Sequence, residues 1–132
     1  MTEIDELEGK ALADTVAMAR GWTQHAGRLS GIAHWYDENG DMTKHQVYHY
    51  RPDRDIGQAW ELDGEGWLWE FDEEYERHGN LLTANVWKGG DVLSSALVRF
   101  ADFPTKAHAY ATARCRAYLK AKEANEQPTG NS

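Results

Sequence analysis

The chain is poor in cysteine and proline and has no long apolar run. Cys115 is its single cysteine, which excludes an internal disulfide and a thiolate-rich metal site and fits a reducing compartment. No stretch approaches the ~18 consecutive apolar residues of a membrane span. The first ten residues are acidic and lack the apolar core of a signal peptide. We therefore expect a cytoplasmic protein without membrane association.

Basic residues are also scarce. The 132 residues include 14 Lys and Arg against 22 Asp and Glu, which gives a formal net charge of −8. A chain this acidic is repelled by phosphate backbones, so direct nucleic-acid binding is disfavoured unless a basic patch is segregated on one face.

Aromatic residues, in contrast, are plentiful: six Trp, six Tyr and three Phe. Each buries about 150–250 Å², so these side chains can build much of the core of one small domain. We predict a single domain over residues 1–122. The polar stretch 123–132, which contains Pro128 and Gly130, is expected to be a disordered tail.

Periodicity and turn signals predict the order of helices and strands. Apolar residues at three- and four-residue steps indicate a helix over 6–20, ended by Gly21. A hairpin with Asn39-Gly40 at its turn, a short helix capped by Asp53 or Asp55, and a helix that starts at Pro104 follow the usual signals. The predicted strands are 31–36, 43–50, 67–75, 81–87 and 92–100. Together they predict an α+β fold, with an antiparallel sheet of about five strands on which the first and last helices pack.

The clearest strand, 67–75, predicts an acidic surface. Aromatic residues occupy its odd positions and carboxylates its even ones, so one face is aromatic and the other negative. From position 61 to 76 the chain has eight acidic residues and no basic one. Along the strand, alternate carboxylates form a row, and the distance between its members is near that between phosphates along a nucleic-acid strand. The alternative interpretation is a solvated face that protects an edge strand. The candidate partner-binding residues are Glu61, Asp63, Glu65, Glu70, Asp72, Glu74 and Glu76.

A second candidate site is an aromatic ligand pocket lined by tryptophans, some of which must simply form core. Its candidate residues are Trp22, Trp35, Trp60, Trp67 and Trp69.

Three histidines could in principle hold zinc, since His45 and His49 would share a strand face opposite His34. No carboxylate or cysteine is placed by spacing to join them, so we expect surface histidines and no metal site.

No constellation predicts catalysis. The carboxylates of the hairpin share one wet face, whereas an acid–base pair needs two different environments. Cys115 lies two helical turns from His108, too far for a hydrogen bond, and is expected to be a small buried residue. We predict no enzymatic activity and no cofactor.

The last helix carries four basic residues, for which two roles can be considered besides solvation. They could touch nucleic acid or meet the acidic hairpin of a second copy in a homodimer. We expect a solvated face, composed of Arg114, Arg116, Lys120 and Lys122.

Three segments, in order along the chain, resemble the phage ABA-sandwich domain proteins and the related NinX-like phage proteins. They are GKALADTVA at 9–17 with Gly21-Trp22, YRPDRDIGQAWE at 50–61, and ARCRA at 113–117. The resemblance implies a phage origin, the host cytoplasm as location and a layered α/β fold, and it supplies no catalytic residues. The chain departs from the family pattern at Asp53, where Ser or Thr is usual, and in the long acidic hairpin 66–87.

Two functions are therefore open. The first is a phage accessory protein that binds a host protein through the acidic hairpin, with nucleic-acid-processing or defence machinery as the natural target class. The second is a small-molecule domain that binds a nucleotide-like ligand in the aromatic pocket.

Overall fold

The computed structural model describes residues 3–27, 30–77 and 79–126. The helices are α1 (Gly9–Ala19), α2 (Ile56–Ala59) and α3 (Lys106–Glu126). Single 3-10 turns precede α1 (Ile4–Glu6) and follow the last strand (Phe100–Asp102). The strands are β1 (Thr23–Ala26), β2 (Ala33–Tyr36), β3 (Met42–Gln46), β4 (Trp67–Glu76), β5 (Gly79–Lys88) and β6 (Asp91–Arg99).

The predicted α+β class is confirmed, but the single sheet of about five strands is wrong. In the described ranges the strands form two antiparallel sheets of three, ordered β1-β2-β3 and β4-β5-β6. The chain between β3 and β4 consists of turns and α2, and the two sheets do not merge into one. Sequence reasoning also missed β1, whose four residues are all exposed and therefore show no alternation of polar and apolar positions.

The N-terminal half packs α1 on the first sheet and on α3. Leu12, Ala13, Val16 and Ala17 are the buried stripe of α1. Ala17 joins a small core cluster with Trp35, Val47 and Tyr50. The helix ends before Gly21, whose φ of +82° is the left-handed conformation that glycine adopts at little cost.

The short helix α2 begins at the predicted cap. The Asp55 carboxylate accepts a hydrogen bond from Gln58 N at 3.0 Å. The Gln58 side chain does not complete a capping box; instead its amide binds Arg51 N at 2.6 Å and His49 O at 3.2 Å. Asp53, the other predicted cap, is buried, and its carboxylate accepts two hydrogen bonds of 2.8 Å from the Arg51 guanidinium.

The second sheet has the register expected of two successive hairpins. β4 pairs with β5 without interruption from Trp67↔Lys88 to Glu76↔Gly79. β5 pairs with β6 with one irregularity, between Val86 and Trp87. One face of this sheet is apolar and packs on α3, through residues such as Leu82, Ala84, Val86, Ala96 and Val98.

The last helix is the centre of the molecule rather than an amphipathic helix on its surface. It contacts β5, β6, α1, α2 and both 3-10 turns, and nearly every residue from 109 to 121 is buried. It begins at Lys106, where Thr105 Oγ1 accepts a hydrogen bond from His108 N at 3.1 Å, so Pro104 precedes the helix instead of starting it. Residues 123–126 belong to the helix and not to the expected tail; 127–132 lie outside the described residues. None of the described helices meets the length and apolarity required to cross a membrane.

The basic residues of α3 do not form the solvated face that the sequence predicts. Arg114 is 4% exposed; its Nε donates to Ala59 O at 2.9 Å and its Nη2 to Leu62 O at 2.6 Å. Arg116 donates twice to Leu7 O. Lys120 forms a salt bridge with Asp5. Arg114 and Arg116 lie instead against backbone carbonyls at or just after the ends of short helical turns, and a guanidinium can donate to several acceptors at once.

Arg114→Met tests the structural role of this guanidinium. Methionine fills similar space but leaves Leu62 O without its donor and removes the second donor to Ala59 O, which also accepts a hydrogen bond from Leu62 N. We expect a loss of about 2 kcal/mol in the free energy of unfolding, since an unsatisfied buried group costs about 1–3 kcal/mol. Urea denaturation followed by tryptophan fluorescence measures it. Arg54→Met, at an exposed position, is the control and should change stability by less than about 0.5 kcal/mol; equal losses in the two variants would contradict the assignment.

Candidate protein-binding surface

The two faces of β4 differ as the sequence predicts along most of the strand. Trp67 is buried, and Trp69, Phe71 and Glu73 are partly covered. The even positions from Leu68 to Glu76 are all exposed. The aromatic face ends before Tyr75, which is 69% exposed and was expected to point into the core.

Four carboxylates of the even positions form a row on the outer face of the sheet. We call Glu70, Asp72, Glu74 and Glu76 the acid row. Successive members lie two residues apart on a strand, about 6.6–6.8 Å. β4 is an edge strand of its sheet, so the row lies at the rim. In residues 3–27, 30–77 and 79–126, the salt bridges include none of these four acids.

Neutral donors from β5 hold the first two acids of the row. Asn85 Nδ2 donates to Glu70 at 3.0 Å and to Asp72 at 3.3 Å. Trp87 Nε1 donates to Glu70 at 3.1 Å. Ser95 Oγ on β6 donates to Asn85 Oδ1 at 2.5 Å and orients the amide. These hydrogen bonds fix the carboxylates in place without cancelling their charge.

Sequence reasoning missed Asn85, Trp87 and Ser95 because their role depends on strand register. Asn85 lies opposite both Glu70 and Ser95. A turn signal in the sequence predicts that a hairpin exists, not which residues of its two strands face each other. The one signal in the sequence is the alternation in the middle of β5, where Thr83 and Asn85 stand between the apolar residues Leu82, Ala84 and Val86.

Glu73 lies on the opposite face and has a structural role. Its carboxylate forms a salt bridge of 2.8 Å with Lys106 Nζ and accepts hydrogen bonds from the hydroxyls of Tyr75 and Tyr110. The donors Lys106, Tyr110 and Tyr75 lower the pKa of Glu73 to about 2. Burial, together with the hydrogen bond to Glu73, raises the pKa of Tyr110 to about 12. This cluster ties β4 to the start of α3.

The three earlier acids of the predicted surface precede β4 and do not extend the row. Glu61 lies 3.6 Å from Lys44 Nζ and 3.8 Å from His45 Nε2. Asp63 Oδ1 accepts hydrogen bonds from Gly64 N and Trp69 Nε1. Glu65 is exposed in the turn before the strand. Bonds within the chain therefore occupy two of the three.

The five tryptophans are distributed over different parts of the molecule, and the ligand pocket stays a prediction. Trp35 is in the core cluster of the first sheet, with Trp22 packed against it. Trp67 belongs to the core cluster of the second sheet. Trp60 and Trp69 enclose the Arg114 guanidinium, whose carbon lies 4.6 Å and 3.8 Å from the two ring centroids. Core packing and cation–π contacts occupy these rings.

The histidines do not meet either. His45 lies among Trp22 and Tyr50, and burial lowers its pKa. His49 follows the end of β3 and is exposed, so the two do not share a strand face. Over the described parts of the chain, no group of three His, Cys, Asp or Glu side chains is arranged to hold a metal ion.

Cys115 is buried, as predicted for a small core residue. Burial raises the pKa of its thiol well above the usual value, which suppresses the thiolate needed of a nucleophile.

No family model, no curated protein and no solved structure matches the chain. The resemblance to the phage ABA-sandwich and NinX-like proteins therefore stays a prediction.

The Glu73 cluster makes stability depend on acid pH. The pKa of Glu73 is about 2 in the folded protein against an ordinary 4.5, so its ionised form stabilises the fold fully above pH 4.5. That stabilisation is lost as pH falls from 4.5 towards 2. We expect Glu73→Gln to lower the urea midpoint at neutral pH. The difference between the midpoints of the variant and the wild type should shrink as the pH falls from 4.5 towards 2.

Glu76→Gln is the matched control, because Glu76 is exposed and lies at the end of the same strand. The urea midpoint of Glu76→Gln should stay close to that of wild type over the whole pH range. A deficit of Glu73→Gln that remained constant from neutral pH to pH 2 would show that ionised Glu73 is not the stabilising species.

Proposed function

We propose that this protein acts by binding a partner protein through the acid row. In line with the phage resemblance of its sequence, the proposed partner belongs to the host's nucleic-acid-processing or defence machinery. The observation that carries the proposal is the row itself: four exposed carboxylates in one line at the rim of a sheet, with no salt bridge to the described chain.

The chain's own bonding pattern supports this use of the row. Glu73, Glu61 and Lys120 all have charged partners within the molecule, so opposite charges are available to this fold. Within the part of the chain that the structure describes, the donors to the acid row are nevertheless the neutral side chains Asn85 and Trp87, which bind its first two members. A partner that brings Lys or Arg to the row gains attraction without first having to break an internal ion pair.

The chemistry of the row favours a basic groove as the target. Like-signed charges in a line create a directional potential that speeds encounter with a surface of opposite sign. Proteins that handle nucleic acids present such grooves, lined with Lys and Arg for phosphate contacts. The proposed mode of action is occupation of the groove, which denies it to nucleic acid and requires no catalytic residue.

A four-acid variant tests the proposal. The row variant carries Glu70→Gln, Asp72→Asn, Glu74→Gln and Glu76→Gln. The control variant carries Glu6→Gln, Glu38→Gln, Asp41→Asn and Glu123→Gln, all at exposed positions. Both change the net charge from −8 to −4, so any difference between them reports position and not total charge.

The first measurement is binding of a short oligolysine peptide at low ionic strength. We expect binding to the row variant to be weaker by about tenfold or more, since exposed pairs contribute roughly 0.2–1 kcal/mol each, while the control variant resembles wild type. Equal weakening in both would mean that net charge alone attracts the peptide.

The second measurement is capture from bacterial lysate at low and high salt. The proposal expects a nucleic-acid-binding protein that the wild type and control variant retain, that high salt releases, and that single-stranded DNA displaces. A set of captured proteins identical for wild type and row variant would overturn it.

A further inference from the structure

A second candidate site lies at the other edge of the same sheet. A cavity of about 420 Å³ opens beside β6, which is the edge strand opposite β4. Its volume is within the ~300–1,000 Å³ range of small-molecule sites. Four charged side chains from separate parts of the chain line it: Glu8 before α1, Arg99 at the end of β6, Asp102 in the 3-10 turn and Arg116 on α3.

The charges in this cavity are opposite in sign but do not pair. Among the residues that the structure describes, no salt bridge involves any of the four. Glu8 makes no side-chain cap to α1. Elsewhere this chain pairs acids with bases readily, as at Lys106 and Glu73. Two cations and two anions therefore share one cavity with space between them.

One of the four is fixed in position. Arg116 donates from Nε and Nη2 to Leu7 O at 3.2 Å and 3.0 Å. A guanidinium has five N–H donors, so others are left for a second acceptor. The cavity also has an apolar wall, to which Leu97, 57% exposed, and Phe103 contribute.

We propose that the cavity binds a small zwitterion with an apolar side chain, namely a free aliphatic or aromatic amino acid. Arg99 and Arg116 take its carboxylate, Asp102 and Glu8 together take its ammonium group, and the side chain packs on Leu97 and Phe103. A simple anion would be repelled by the two carboxylates and a simple cation by the two guanidiniums. A zwitterion complements both pairs, and the site does not depend on the acid row.

Calorimetric titration with L-leucine and L-phenylalanine tests the proposal on the wild-type chain, against their N-acetyl and amide derivatives. Each derivative removes one charge and keeps the side chain. We expect binding of the free amino acids, and binding of both derivatives weaker by about tenfold or more, as for loss of a charged hydrogen bond.

Variants at exposed positions separate binding from folding. Arg99→Gln and Asp102→Asn should each weaken binding about tenfold, while Arg54→Gln and Asp41→Asn leave it unchanged. The four-acid row variant should bind the amino acid as wild type does, which separates this site from the acid row. The proposal is overturned if neither amino acid gives a heat of binding, or if the capped derivatives bind as well as the free amino acids. It is also overturned if Arg99→Gln and Asp102→Asn bind the amino acids as wild type does.

Discussion

The fold depends on how Arg114 is buried. One guanidinium on α3 fixes the chain where α2 ends: it donates to Ala59 O, the last residue of α2, and to Leu62 O in the turn that follows. Burial lowers the pKa of that group to about 10, so it remains charged at neutral pH. The rings of Trp60 and Trp69 both lie against it. One side chain thus joins α2, α3 and β4, and it lets the helix that carries it occupy the centre of the molecule.

The burial of Arg114 determines which face of β4 packs inside the molecule and which face is exposed. The inner face is committed to α3: Trp67 to the core, Trp69 to Arg114, and Glu73 to Lys106 and the tyrosines. The outer face has no layer of the described chain packed on it, and its carboxylates stay exposed. Two acids three residues apart, Glu70 and Glu73, therefore have opposite roles. The first is available to another molecule, and the second is an internal anchor with a pKa near 2.

The sequence predicted what is local and failed where the outcome depends on distant partners. The alternation in 67–76 predicted β4, and Asp55 predicted the start of α2, because both signals involve neighbouring residues. The basic residues of α3 were misassigned because charge usually means exposure; only the tertiary fold brings backbone carbonyls from distant segments to Arg114 and Arg116. The tryptophans were grouped from composition, which shows that rings are present but not which of them meet. The acid row was predicted from the alternation of residues along the strand. The hydrogen-bond network of Asn85 was not predicted, because it depends on the register of β5.

The position of the acid row at an edge also bears on self-association. An edge strand of ten residues offers unpaired backbone groups to any other strand. If two copies joined β4 to β4 antiparallel, residues on the outer face of one would lie opposite outer-face residues of the other. Acid would then face acid along the row, and like charges directly opposite are destabilising. The side chains that disfavour a homodimer through this edge are thus the same ones that the proposed basic partner would contact, so both effects would follow from a single row of carboxylates.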